Sequence, residues 1–246
     1  MADRVRRYER HVRAREGVTE IAERLLNGEP PVVRGGPFAG LRYPRDRIAD
    51  IDVPVAKLLG VYEREIATVF EDAIGRGTST FVDVGCADGY YAVGMALASP
   101  RLTTHAFDIA RSARALCTDV AALNHLAGRV IVEDRFSIAS LDGLEMHGAL
   151  MLCDIEGAEH TLFDGPLVAR LRHTFVAIEV HEHAVPGLSE HLRGAFAATH
   201  THRAVGQAEH RPEDVEDLPL TPAEIAIALR ENRPASLHWL VFDPLG

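Results

Sequence analysis

Positive charge, cysteine and long apolar runs are all scarce in this chain. Lys and Arg number 26 against 36 Asp and Glu, and the resulting net charge of −10 argues against a nucleic-acid or membrane-surface partner. The first stretch is the exception: Arg4, Arg6, Arg7, Arg10, Arg13 and Arg15 outnumber Asp3 and Glu9 there. Such a run ordinarily forms a solvated helix face. The three cysteines, Cys86, Cys117 and Cys153, make no C-x-x-C pair, which speaks against a disulfide framework or a structural zinc. No segment stays apolar long enough to cross a bilayer, and no apolar run follows the basic start as a secretion signal requires. Together these absences predict a cytoplasmic location and no membrane partner.

What is present is enough chain, 246 residues, for one α/β domain with a modest appendage. A helix is expected over residues 3–27, with Val5, Tyr8, Val12, Ala22, Leu25 and Leu26 on its apolar stripe. Residues 28–54 are rich in Pro and Gly and read as a long irregular connection, a form that often serves as a lid. Phe38, Leu41, Tyr43, Arg34, Arg42, Arg45 and Arg47 in it either shape an acceptor pocket or belong to a solvated connection with a few core anchors. A helix over about 55–75 follows, and then strands and helices alternate. Strands are expected at Thr80–Val84, Thr103–Phe107, Arg129–Glu133, Ala149–Cys153 and Thr174–Val180, then at Thr199–Val205 and Leu237–Phe242. Helices are expected between them, including Thr161–Leu171. This order implies an α/β fold with a mainly parallel sheet covered on both faces, the last two strands forming an antiparallel edge. The chain divides into 1–57, a helical N-terminal cap with its lid segment, and 58–246, the ligand-binding domain.

The most informative stretch is Phe81–Ala96, FVDVGCADGYYAVGMA. An apolar strand ends in Asp83, turns through Gly85, Cys86, Ala87, Asp88 and Gly89, and enters a small-residue helix at Tyr90. Open α/β sheets hold nucleotide-like ligands with this strand–turn–helix unit. A dinucleotide loop reads G-x-G-x-x-G, whereas Ala87 replaces the second glycine and two carboxylates stand in the loop. Carboxylates repel a pyrophosphate and suit a cation. The loop resembles the first motif of class I S-adenosylmethionine (SAM) methyltransferases. That resemblance implies a Rossmann-like sheet, SAM as cofactor, and a site made by Asp83, Gly85, Cys86, Ala87, Asp88, Gly89 and Tyr90. Asp108 and Ile109 after the second strand would hold the ribose, and Asp134, Arg135 and Phe136 after the third would meet the adenine.

A second stretch, LMLCDIEGAE at Leu150–Glu159, resembles the fourth-strand motif of FkbM-type methyltransferases. FVAIEVH at Phe175–His181 and LGVYE at Leu59–Glu63 are similar to further segments of that family. The likeness covers roughly residues 58–183 and implies O-methylation of a small-molecule hydroxyl, as on a sugar or natural product. At the reaction site Asp154, Glu156, Glu179 and His181 are expected to converge, period two along the strand placing Glu179, His181 and His183 on one side. Three readings stay open. His181 or Asp154 is a general base; Asp154, Glu179 and His181 bind Mg²⁺, Mn²⁺ or Fe²⁺; or these groups merely pair with one another. His200, His202 and His210 are expected to face water. Competing functions are an N-, C- or peptide methyltransferase, a SAM-binding module without catalysis and, more remotely, an NAD oxidoreductase. A homodimer through the N-terminal helices is a further expectation.

Overall fold

Apolar strands alternating with helices can bury both faces of a sheet only by layering helices on each side. The computed structural model has this form; it describes residues 17–211, 214–215, 218–231 and 233–245. In chain order its elements are α1 (residues 17–26), α2 (Pro54–Leu59), α3 (Ala67–Gly75), β1 (Thr80–Val84), α4 (Tyr90–Ala98), β2 (Thr103–Phe107), α5 (Arg111–Leu123), β3 (Val130–Glu133) and β4 (Leu150–Cys153). There follow α6 (Glu159–Leu162), α7 (Gly165–Arg170), β5 (Phe175–Val180), α8 (Leu188–Phe196), β6 (His200–Gly206), α9 (Pro222–Ala228) and β7 (His238–Pro244). The sheet order is β3-β2-β1-β4-β5-β7-β6, with β1 to β5 parallel and β7 antiparallel to both its neighbours. The expected fold class, a mainly parallel Rossmann-like sheet with an antiparallel edge, is therefore present. Residues 3–16, including Arg4 to Arg15, lie outside the described residues.

Strand parity divides the core. Phe81, Leu150, Leu152, Ala177, Trp239 and Val241 pack into one layer, Val82, Val84, Met151, Cys153, Val176, Ile178, Leu240 and Phe242 into the other. Because alternate residues take opposite faces, Asp83 and Glu179 share the first face with Phe81 and Ala177. The chain runs outward from β1 through β2 to β3 and then returns to β4 on the other side of β1. The β1/β4 boundary is thus a topological switch point, where open sheets leave a crevice at the strands' carboxyl ends.

Residues 28–54 are a strap, a connection held down by core anchors. Phe38, Leu41 and Tyr43 are at most 1% exposed. Phe38 packs edge-on to Phe70, Tyr90 and Tyr91 with centroids 5.1–6.1 Å apart. A Cβ on Gly94 of α4 would stand 2.5 Å from the Phe38 ring, so glycine there makes room for the strap. A helix as apolar as YYAVGMALA must be covered on every side, and the strap covers the side that the sheet cannot. Polar contacts hold the strap down: the Arg42 backbone exchanges hydrogen bonds with the Asn124 side chain, Arg45 pairs with Glu23, and Arg47 with Asp50 and Asp119. Arg34 donates to the Leu25 carbonyl. None of these seven residues lines the cavity described below. The apolar layer continues from Ile21 across residues 57 and 58 without a break.

Two expected helices are broken. Gly60 and Glu63, both at positive φ, end α2 and begin a short 3-10 turn before α3. Asp164 caps a new helix by accepting from the Leu167 amide, 3.0 Å, and Pro166 sits in its first turn, so α6 and α7 are separate.

Candidate active site

The turn after β1 is shaped by a backbone crossing. A Cβ on Gly85 would lie 1.8 Å from the Asp154 carbonyl oxygen, so only glycine lets the segments after β1 and β4 pass. The Gly85 and Cys86 amides both donate to the Phe107 carbonyl, 2.8 and 3.0 Å. Asp108 receives the Ala87 amide at 3.1 Å and the Ala110 amide at 2.7 Å, which clamps the turn to the end of β2. Ala87 has φ +45, a left-handed conformation unusual for a residue with a side chain, and this clamp holds it there.

Asp88 does not reach the cavity. It is 4% exposed, takes the Lys57 ammonium at 2.5 Å and receives the Tyr90 amide at 3.1 Å and the Tyr43 hydroxyl at 3.4 Å. Its carboxylate therefore pins the start of α4 to the strap and α2, and the expected ligand contact is replaced by an internal one. The Lys57 ammonium also lies over the Tyr62 ring, 4.8 Å from its centroid. Sequence reasoning missed Lys57; its signal was a lone cation in the apolar run VAKLL.

A cavity of about 510 Å³ opens at the switch point. Of the residues expected to hold a cofactor, Gly85, Ala87, Asp108, Ile109, Asp134, Arg135 and Phe136 line it, together with Asp154 and Glu156. Ile109 is 73% exposed at its lip, an apolar side chain left open to a ligand face. Phe136 stands edge-on to Phe107, centroids 5.3 Å apart, and Asp134 receives the Arg135 amide. Asp83, Cys86, Asp88, Gly89 and Tyr90 lie behind this lining. Asp83 is 1% exposed, and neither of its oxygens has a hydrogen-bond partner. Burial, with Asp108 adding to it, pushes the Asp83 carboxyl up to about 8.

Beyond the cavity the carboxyl ends of β4 and β5 gather carboxylates around one imidazole. His181 is 1% exposed. Its Nδ1 is 3.0 Å from Glu159, and its Nε2 faces Asp154 at 3.5 Å, Glu156 at 3.4 Å and Glu179 at 3.4 Å. Burial opposes charge on the ring, but Glu159, Glu179 and Asp154 outweigh it and raise His181 to about 10. Carboxylates on both sides of the ring close it off from the cavity, whose lining does not include His181. Burial, reinforced by Glu179 and Glu63, raises the Asp154 carboxyl well above the usual range.

Glu159, fully buried and also bonded to the Ile155 amide at 3.0 Å, went unassigned from sequence although it closes the quoted D-I-E-G-A-E motif. Glu179 belongs to another web. Arg233 ties it, at 2.9 Å, to Glu63, Glu65 and Glu231. The donors that lie within 4.8 Å of one another belong to Asp154, Glu156 and His181, so Glu156 stands where Glu179 was expected. β5 ends at Val180, so period two does not carry to His183, which is exposed. His202 is exposed as expected. His200 is buried, its Nε2 2.9 Å from the Thr174 carbonyl, and His210 is half-buried against Leu229 and Glu231. All three cysteines are free and buried. Among the described residues no helix is long and apolar enough to cross a membrane.

No family model matches the chain, and no curated protein matches it in sequence. Solved structures do resemble it. The methyltransferase domain of METTL16 superposes with a TM-score of 0.55 at 14% identity, over 93% of this chain and 79% of that one. A Clostridium thermocellum protein named as an rRNA methylase gives 0.52 at 11%, over 74% and 96%. A Staphylococcus aureus protein named as a caffeoyl-CoA O-methyltransferase gives 0.50 at 8%, over 72% and 82%. Likenesses this distant in sequence establish the fold: the chain has the Rossmann-like architecture of class I methyltransferases.

Proposed function

We propose that this chain is a SAM-dependent methyltransferase acting on a hydroxyl oxygen of a small molecule. The observation that carries the reading is the charge of the cavity at the switch point. Asp108, Asp134, Asp154 and Glu156 line it against a single cation, Arg135. Such a lining disfavours a dinucleotide's pyrophosphate and suits a ligand with a sulfonium and an ammonium. Asp108 would accept the ribose hydroxyls, the open Ile109 face and Phe136 would flank the adenine, and Asp134 would meet its amine. The amino-acid end would lie by Gly85, in front of the unpartnered Asp83.

SAM supplies an activated methyl on sulfur. The residues' task is then to align the acceptor oxygen behind that methyl, exclude water and receive a proton. Alignment alone can contribute up to roughly 7–11 kcal/mol. The proton leaves toward the edge formed by Asp154 and Glu156, because His181 is sealed among carboxylates. The choice of oxygen rests on the likeness of Asp154–Glu159 and Phe175–His181 to the FkbM-type motifs.

The test is calorimetric titration of SAM, followed by assay of sugars and hydroxylated small molecules with methyl-labelled SAM. Micromolar SAM binding and label on an ether oxygen are expected. Binding of NADH with none of SAM would refute the cofactor; label on nitrogen or carbon would refute the acceptor.

A further inference from the structure

The arrangement around His181 has a feature that methyl transfer by alignment does not use. A buried imidazole normally hydrogen-bonds through both nitrogens. Here Nδ1 bonds Glu159 at 3.0 Å, whereas Nε2, on a side chain 1% exposed, has no partner as close. Its nearest oxygens, on Asp154, Glu156 and Glu179, stand off at 3.4–3.5 Å. Asp154 Oδ1, one of them, is itself buried without a hydrogen-bond partner. An unpartnered carboxylate oxygen thus faces the ring nitrogen across a gap too long for a good hydrogen bond.

That spacing has a simple geometric meaning. Donors held about 2.1 Å from one ion at the tetrahedral angle lie about 3.4 Å from each other. Nε2 meets Asp154 and Glu156 at 3.5 and 3.4 Å, and the three donors lie within 4.8 Å of one another. Glu159 completes the pattern from behind. A carboxylate on the far ring nitrogen fixes the tautomer and orientation of a metal-binding histidine, and fully buried Glu159 does this at 3.0 Å. Charge points the same way, since His181 is met by four carboxylates and Arg233 compensates Glu179 alone among them.

We infer that Asp154, Glu156 and His181 form a binding site for one divalent transition-metal cation, Glu159 orienting the histidine. One imidazole and two carboxylates suit Mn²⁺, Fe²⁺ or Zn²⁺ better than Ca²⁺, which takes six to eight oxygens. Three protein donors leave positions open, and Asp154 and Glu156 both line the cavity, so those positions face the bound ligand. Resting on the methyltransferase reading, the cation would hold the acceptor hydroxyl and favour its alkoxide. The binding itself does not depend on that reading.

The experiment is Mn²⁺ titration of the chelator-treated full chain, followed by the loss of the free Mn²⁺ paramagnetic resonance signal, without SAM. One equivalent is expected to bind. Glu156→Gln is the informative variant, because its side chain is 83% exposed and its loss cannot unfold the protein. It should weaken Mn²⁺ at least tenfold, and Glu159→Gln by 10–100-fold. Glu182→Gln, whose carboxylate is engaged by the Gly187 and Ser189 amides, should bind as wild type does. No stoichiometric binding, or equal affinity in wild type and Glu156→Gln, overturns the site. SAM is titrated separately on the same samples. SAM binding without Mn²⁺ binding sinks the metal site and leaves the methyltransferase reading standing; Mn²⁺ binding without SAM binding does the reverse.

Discussion

Lys57→Met is the sharpest test of how the turn after β1 is held. The methionine keeps the length and apolar packing of the lysine stem and removes only its ammonium. Asp88, 4% exposed, would keep just the Tyr90 amide at 3.1 Å and the longer Tyr43 hydroxyl contact at 3.4 Å. Removing one member of a buried ion pair costs about 3–5 kcal/mol, because the remaining charge is left uncompensated. For a chain of this size that corresponds to a fall in melting temperature of about 6–20 °C. Asp88→Asn in the Lys57→Met background removes the stranded charge and keeps an oxygen for the Tyr90 amide, so most of the loss should return. Guanidinium unfolding of wild type, both single variants and the double variant closes the cycle. A coupling of about 2–4 kcal/mol is expected. Should Lys57→Met cost less than about 1 kcal/mol, as for an exposed pair, the reasoning fails. It fails equally if the double variant is as unstable as the summed singles. SAM affinity should fall with the pair, since Asp88 anchors the turn that carries Gly85 and Ala87 into the cavity wall.

Asp108→Asn should weaken SAM at least tenfold by calorimetry, hydrogen bonds to a charged group contributing about 1.5–3 kcal/mol; unchanged affinity would mean the pocket is misassigned. Stability should fall as well, because Asp108 also clamps the Ala87 and Ala110 amides. Asp83 titrates near 8 in the fold against an ordinary value of 3.8, so the folded state holds the extra proton between these limits. Its contribution to stability therefore declines as pH rises through that window, by about 1.4 kcal/mol per pH unit. Asp83→Asn should gain about 2–3 kcal/mol relative to wild type between pH 5 and pH 7 in urea unfolding, and a pH-independent difference would contradict the burial argument. Gly94→Ala drives a methyl into the Phe38 ring and should cost about 1–3 kcal/mol, an estimate that equal unfolding midpoints would refute.

The sheet was legible because its signals are local. Apolar runs of four to six residues bounded by glycine and acidic residues define β1 to β5 within a residue or so, and Gly85 marks the tight crossing after β1. Asp108 and Asp134 could be placed by counting strand ends. Local patterning misplaced what depends on distant partners. The Pro/Gly composition of residues 28–54 looks the same in a lid and in a strap; only α4, apolar all round, required a cover, and only the fold shows that Phe38 provides it. His183 was grouped with His181 by a strand period that stops at Val180.

The sequence by itself determined the layers, the strand faces and the carboxyl-edge position of the acidic residues, since backbone periodicity and apolar burial act over a few neighbours. Tertiary structure decided which acid meets which cation. Lys57 reaches Asp88 across 31 residues, Glu159 reaches His181 across 22, and Arg233 reaches Glu65 across 168. A carboxylate carries no local mark of its partner. Whether it serves as anchor, orienting group or open donor depends on the dielectric and the neighbours that packing assigns to it.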